Sequence, residues 1–125
     1  MFKKFFYLTS IIFIVFVFVP YTESKQEKLS SHEFVYLYNN NCGYCIKFNP
    51  IFNNIKKNYE NNISFSKINV STDEGQKIAT NYGITYVPYV IMHNIKNNQK
   101  ATVAPSCLLK PACVEKTIKD FYSIK

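Results

Sequence analysis

The residues best suited to chemistry are two cysteines in the tetrapeptide Cys42-Gly43-Tyr44-Cys45. Two thiols at this spacing can close a small disulfide ring and exchange that bond with the disulfide of another molecule. The same spacing also supplies half of a zinc site, and it can form an inert bridge that does no chemistry. The residues around the pair favour the first of these alternatives.

The pair lies where a predicted strand gives way to a predicted helix. Residues 34–38, Phe-Val-Tyr-Leu-Tyr, are aromatic and β-branched, which indicates a buried strand. Beyond the pair, apolar residues recur at helical spacing: Phe48, Ile51, Phe52, Ile55 and Tyr59. The free N–H groups and the positive dipole end of a first helical turn favour a thiolate over a thiol. Cys42 is therefore predicted to be the nucleophile, and Cys45, one turn further on, the resolving thiol.

Three further segments match a known family in order and spacing. Pro50 falls inside the predicted helix, residues 67–70 read as a second core strand, and residues 82–88, Tyr-Gly-Ile-Thr-Tyr-Val-Pro, precede a third. In these features the chain resembles the thioredoxin superfamily from residue 34 to residue 125. The resemblance implies a cis Pro88 facing the cysteines.

The resemblance also implies site residues and the chemistry that they carry out. It implies a substrate groove formed by Gly43, Tyr44, Val87 and Pro88. Because the thiols themselves carry the electrons, neither an organic cofactor nor a metal is expected. The expected function is that of a thiol–disulfide oxidoreductase acting on protein disulfides, with an upstream electron donor or acceptor as its partner. The alternative is a non-catalytic binding module or complex subunit of the same fold, with structural cysteines.

The chain departs from the family at positions close to the site. Tyr36 stands where thioredoxins carry a buried acid, so Lys67 lacks its usual partner, and Asn41 stands where they carry a tryptophan. The sequence Cys-Gly-Tyr-Cys resembles the active site of the periplasmic isomerase, whose threonine before the proline is Val87 here. The direction of electron flow is therefore left open.

The expected fold is α/β: a trimmed thioredoxin-like core with a four-stranded mixed sheet and helices on both faces. Its first two strands should be parallel. The predicted elements are strands at about 34–39, 63–70, 89–93 and 100–104, with helices at 42–60, from Ser71 as cap to Tyr82, and 110–122. The last helix is expected to bury Val114, Ile118 and Phe121.

Residues 1–24 have the pattern of a secretory signal peptide. Lys3 and Lys4 form a basic start, residues 5–19 are almost entirely apolar, and small residues precede a cut before Lys25. An uncleaved anchor is the alternative, but the apolar run is short for a bilayer span of about 20 residues. Residues 25–33 then form a polar lead-in to a domain of residues 34–125. The expected location is the periplasm, or the endoplasmic reticulum lumen and extracellular space, without a stable membrane span after cleavage.

The net charge of +7 comes from lysine alone, because the chain contains no arginine. The lysines are scattered, and no arginine is present to make bidentate phosphate contacts, so a nucleic-acid partner is not expected.

Two further cysteines, Cys107 and Cys113, lie outside the usual spacing of zinc ligands. An oxidising compartment and the predicted return of the chain to the active-site edge of the sheet favour a structural disulfide between them. A second redox pair that relays electrons to Cys42 and Cys45 and a pair of free thiols are the alternatives. His32 and His93 have no cysteine or acid at ligand spacing and are expected to be surface or strand-end residues.

Overall fold

The structure, a computed structural model, describes residues 30–125. The predicted signal peptide and most of the polar lead-in lie outside these residues. The elements are β1 (His32–Tyr38), α1 (Gly43–Tyr59), β2 (Ser64–Asn69), α2 (Asp73–Asn81), β3 (Tyr89–Asn94), β4 (Gln99–Thr102), α3 (Pro105–Leu108) and α4 (Pro111–Tyr122).

The four strands form one mixed sheet in the order β2-β1-β3-β4. β1 pairs in parallel with β2, and β3 is antiparallel to both β1 and β4. The predicted four-stranded sheet with two parallel strands is therefore confirmed. β1 begins at His32, two residues before the predicted start, because the backbone of His32 already pairs with Asn94.

One face of the sheet carries the hydrophobic core, because alternate strand residues point to the same side. Phe34 and Tyr36 of β1 and Val90 and Met92 of β3 are almost completely buried on this face. They share one cluster with the apolar stripes of two helices. The buried members are Cys45, Phe48, Phe52, Ile55 and Tyr59 of α1 and Val114, Ile118 and Tyr122 of α4. The apolar residues at helical spacing thus pack α1 against the two central strands, β1 and β3.

The opposite face lies beside the end of α2. Tyr82, which follows α2, lines a surface depression with Ile91 and Thr102, and the Lys100 ammonium is 5.1 Å from the centre of its ring. Gly83 ends the helix in the left-handed conformation with φ of 63°, as its position predicts. The start differs by one residue, because Thr72 and not Ser71 caps the helix by accepting a hydrogen bond from the Gly75 N–H at 3.1 Å.

Gly75 lies where α2 packs directly on the backbone that follows β2. A Cβ atom at this position would overlap the Asn69 carbonyl group and lie 2.7 Å from the Val70 Cα. Only glycine therefore fits between the two backbones.

The C-terminal part of the chain differs from prediction in three places. β4 ends at Thr102, two residues before the predicted end. Residues 105–108 form the short helix α3, where a loop is predicted, because Pro105 supplies the φ angle of a first helical turn. In α4 the residue buried with Val114 and Ile118 is Tyr122, whereas Phe121 is only partly buried. A ring at either position continues the apolar stripe, and the Tyr122 hydroxyl finds an acceptor in the Glu33 carbonyl group.

Two tyrosines are buried in this core with their hydroxyl groups hydrogen-bonded. Burial, and to a lesser degree the neighbouring Tyr38, raises the pKa of Tyr36 to about 12. Burial likewise raises the pKa of Tyr122, and the hydrogen bond to the backbone only partly offsets this effect. Both phenol groups therefore stay protonated and uncharged near neutral pH.

Between Ser30 and Lys125 the structure contains no helix that is long and apolar enough to cross a membrane.

Substituting Gly75 by Ala should lower the free energy of unfolding by about 1–3 kcal/mol, because the methyl group must displace backbone and not a flexible side chain. Gly43→Ala is the matched control, since a Cβ at that position meets no atom within 4 Å. Urea unfolding monitored by circular dichroism measures both. Equal stability of the two variants would contradict the close approach.

Alkaline pH should lower the free energy of unfolding between about pH 10 and pH 12. A tyrosine in the unfolded chain loses its proton near pH 10, whereas folded Tyr36 keeps its proton to about pH 12. The contribution of Tyr36 to the free energy of unfolding is therefore fully present below pH 10 and is lost as the pH rises towards 12. Each such group contributes up to about 1.4 kcal/mol per pH unit in this window. Tyr36→Phe should remove about half of that slope, because Tyr122 retains its own contribution. An unchanged slope in urea titrations at pH 10, 11 and 12 would show that Tyr36 is not the group responsible.

Candidate active site

The start of α1 positions the two central cysteines. Cys42 is the N-cap of this helix, with extended backbone angles, and its sulfur accepts a hydrogen bond from the Cys45 N–H at 3.0 Å. Asn39 shapes the preceding turn, since its side chain accepts from the Asn41 N–H and its carbonyl from the Cys42 N–H. The Cys42 sulfur thus lies in the positive field at the helix start, where negative charge is stabilised.

Cys42 and Cys45 form a disulfide in the structure, with Cα atoms 5.1 Å apart. The two sulfurs differ in their surroundings, because Cys42 is only partly buried whereas Cys45 is 1% exposed and belongs to the core. An incoming sulfur atom can therefore reach Cys42 from solvent but cannot reach Cys45.

The loop before β3 faces this disulfide, as the resemblance implies. The Val87 carbonyl oxygen is 3.7 Å from the Cys42 sulfur, and the bond between Val87 and Pro88 is cis. Pro88 is buried. A backbone carbonyl beside the reactive sulfur can accept a hydrogen bond from an extended peptide lying across the disulfide.

An apolar groove of about 330 Å³ opens beside this loop. Its lining residues are Tyr44, Tyr86, Val87, Pro88, Pro105, Leu108 and Leu109. Of the four residues predicted to contact substrate, Tyr44, Val87 and Pro88 are thus brought together. Gly43 lies at the helix start and does not line the groove.

Tyr36 lies beneath the second cysteine, at the position where the family carries an acid. Its ring packs edge-on against Phe48, with ring centres 4.8 Å apart. Its hydroxyl is 3.2 Å from the Cys45 carbonyl oxygen and 3.0 Å from Asn49 Oδ1, to either of which it can donate. Lys67 lies over the Tyr36 and Tyr38 rings, with its ammonium 5.7 and 4.4 Å from their centres. A neutral phenol therefore replaces a carboxylate as the floor of the site.

Among residues 30–125, no three His, Cys, Asp or Glu side chains are grouped closely enough to hold a metal ion. His93 lies 3.2 Å from Glu33 across the strand pair, and the His32 ring packs on Tyr122 with centres 4.8 Å apart. Both histidines are therefore engaged with neighbouring side chains.

The other two cysteines, Cys107 and Cys113, are also joined by a disulfide, with Cα atoms 5.4 Å apart. This bridge links α3 to the first turn of α4. Since Pro105 and Leu108 of α3 line the groove, the bridged segment lies at the same edge of the sheet as Pro88, as predicted from the strand directions.

Sequence reasoning did not identify five residues that shape the site. Tyr86 lies in the family-like segment 82–88 but is given no role by the resemblance. The other four, Asn49, Pro105, Leu108 and Leu109, belong to no motif and reach the site only through tertiary packing. One signal was available for α3: an apolar Leu-Leu pair lies between two prolines and two cysteines in residues 105–113.

The sequence is similar to proteins of a family whose fold and paired cysteines match those described above. The thioredoxin family model matches residues 20–111. A thioredoxin of Borreliella burgdorferi is 35% identical over 85 residues, which cover 68% of each chain.

Solved structures show the same fold. Mitochondrial thioredoxin 3 of Saccharomyces cerevisiae, in its oxidised form, superposes with a TM-score of 0.60 at 24% identity, covering 74% of this chain and 81% of the yeast chain. The thioredoxin of Malassezia sympodialis superposes with a TM-score of 0.60 at 24% identity, covering 73% and 77% of the two chains. The family match and the sequence identity together decide the assignment: this chain belongs to the thioredoxin family of thiol–disulfide oxidoreductases.

Proposed function

We propose that the protein exchanges disulfides with polypeptide substrates through Cys42 and Cys45. The observation that carries the proposal is the asymmetry of the pair. Cys42 is accessible and receives a hydrogen bond from the Cys45 N–H, whereas Cys45 is buried behind it. An accessible sulfur that is stabilised as an anion suits a nucleophile, and a shielded sulfur one turn away suits a resolving thiol.

Two exchange steps complete the reaction in the reducing direction. The Cys42 thiolate attacks one sulfur of the substrate disulfide, which breaks the S–S bond, releases one substrate thiolate and forms a mixed disulfide. Cys45, after losing its proton to water, attacks the Cys42 sulfur and releases the second substrate thiolate. Two electrons pass from the dithiol to the substrate, and an external dithiol reductant restores the reduced pair. The same steps in reverse oxidise a substrate dithiol.

The surroundings of Cys42 support a polypeptide as the substrate. An extended chain that places its sulfur on Cys42 would run past the Val87 carbonyl group, which is 3.7 Å from that sulfur. Such a chain can form a backbone hydrogen bond there and place a side chain in the adjacent apolar groove. A small disulfide without a peptide backbone would use neither feature.

The proposed location is the periplasm or the lumen of the secretory pathway. This rests on the basic start and apolar run of residues 1–24. It also rests on the Cys107–Cys113 bridge, since stable disulfides are typical of oxidising compartments.

Expression of the full chain should yield a product whose first residue is Lys25. An intact N-terminus in purified protein would contradict cleavage.

The protein should catalyse the reduction of insulin by dithiothreitol, measured as the turbidity of the released chains. Cys42→Ser should lower the rate to that of dithiothreitol alone, because the nucleophile is lost. Cys45→Ser, reduced and then freed of dithiothreitol before insulin is added, should accumulate a mixed disulfide with insulin, visible on a non-reducing gel, because the resolving thiol is lost. A wild-type rate no higher than the rate with dithiothreitol alone would favour the non-catalytic binding module.

After reduction, Cys42 should react with iodoacetamide well before Cys45. The difference in burial and the hydrogen bond from the Cys45 N–H both favour reaction at Cys42. Mass mapping after brief alkylation at pH 6 measures the two sites separately, with both cysteines labelled after denaturation as the control. Faster labelling of Cys45 would reverse the assigned roles.

A further inference from the structure

Exposed apolar side chains gather at one place on the described surface. Of the large hydrophobic residues that are exposed, Tyr44, Tyr86 and Leu109 all line the groove beside Pro88, at 64%, 48% and 36% exposure. No charged side chain is among the lining residues. A grouped apolar surface of this kind marks a place where another molecule binds.

One wall of this groove is built by α3 and the residue that follows it. A helix of four residues is too short to be stable by itself. It is held here by the burial of Leu108, which is 3% exposed, and of Cys107, which is 4% exposed. The bridge to Cys113 ties it to α4, and the Lys110 N–H donates to the Cys107 carbonyl at 2.9 Å. Leu109 is thereby held at the rim with its side chain available.

We propose that this bridged segment is a specificity wall, in which Leu109, with Tyr44 and Tyr86, receives a bulky apolar side chain of the polypeptide substrate. The groove is continuous with the reactive sulfur, because Val87 both lines it and places its carbonyl oxygen 3.7 Å from Cys42. The occupant is therefore a residue close in sequence to the half-cystine that bonds to Cys42. This inference rests on the proposed function and names the substrate class for the same site.

An apolar occupant follows from the lining. A charged or strongly polar side chain would lose water in the groove without gaining a partner among the lining side chains. A leucine or phenylalanine side chain would instead remove apolar surface of both molecules from water. Because the groove stays open to solvent on one side, we expect discrimination of about tenfold, at the lower end for apolar pockets.

Two matched peptides test the proposal. Each carries one cysteine as a mixed disulfide with glutathione, with leucines flanking the cysteine in one and serines in the other. The readout is the ratio of the rate constants for the two peptides, measured in single turnovers. The protein is first reduced at Cys42–Cys45 with one equivalent of dithiothreitol, freed of the reagent and checked by mass spectrometry for a closed Cys107–Cys113 bridge. The wild-type ratio should be about ten in favour of leucine, and Leu109→Ser should lower it to about two or less. A wild-type ratio near one would overturn the proposal.

Ile46→Ser is the control, because Ile46 is a 63% exposed apolar residue of α1 that does not line the groove. It should retain the wild-type ratio. Tyr86→Ser is the second groove variant, and it should lower the ratio as Leu109→Ser does. Circular dichroism melts establish that each variant is folded. If Ile46→Ser lowers the ratio as far as the groove variants do, the preference for leucine comes from general surface hydrophobicity, and the specificity wall is overturned.

Replacing both bridge cysteines by Ser tests whether the disulfide holds the wall. The double variant should melt at a lower temperature and show a ratio between the wild-type value and that of Leu109→Ser. A wild-type ratio in this variant would show that α3 keeps its place without the bridge, which contradicts the bridged wall. Reduction of both peptides at equal rates overturns only the specificity wall, whereas reduction of neither peptide nor insulin overturns the proposed oxidoreductase function.

Discussion

The site depends on one hydrogen bond, from the Cys45 N–H to the Cys42 sulfur at 3.0 Å. It exists because α1 begins at Gly43, directly after the chain leaves β1 and turns at Asn39. The orientation of α1 is fixed in turn by Phe48, Phe52 and other buried residues that hold it against the central strands. The buried stripe of the helix and the reactive sulfur at its end are therefore parts of one arrangement. A change that rotated the helix would move the N–H groups away from the sulfur.

The floor of the site shows how an uncharged group can occupy a position that the family gives to an acid. Tyr36 is completely buried, and burial raises its pKa to about 12, so that it brings no negative charge beneath the disulfide. The start of α1 favours a thiolate, and Tyr36 adds no negative charge beneath the disulfide that would oppose it. The hydroxyl instead supports the first turn of α1 from below through the Cys45 carbonyl oxygen and Asn49. Tyr36 thus helps to position the turn and has no basic form available near neutral pH.

Sequence reasoning was accurate where a pattern repeats and weaker where a single contact decides. The apolar spacing of α1 and the β-branched runs of β1 and β3 show which residues of each element are buried. The sequence therefore predicts the sheet and the helix that packs on it. The cap at Thr72, where Ser71 was expected, depends on which hydroxyl reaches the Gly75 N–H, and both residues suit that role. Likewise, Phe121 and Tyr122 both continue the same stripe, and the hydrogen bond from the Tyr122 hydroxyl to the Glu33 carbonyl group is a tertiary contact that the spacing does not show. Gly75 gives no signal at all, since its requirement comes from the backbone of another element.

The groove was the least predictable part, because its three walls come from distant parts of the chain. Tyr44 lies between Cys42 and Cys45, Tyr86 precedes the cis bond, and Leu109 lies between the two bridge cysteines. Only the first two belong to segments that resemble the family. The third wall is a four-residue helix that this small fold cannot stabilise by length, so a covalent bond to α4 takes the place of further packing. The Cys107–Cys113 disulfide, which is distant in sequence from Cys42 and Cys45, therefore still shapes the groove beside them.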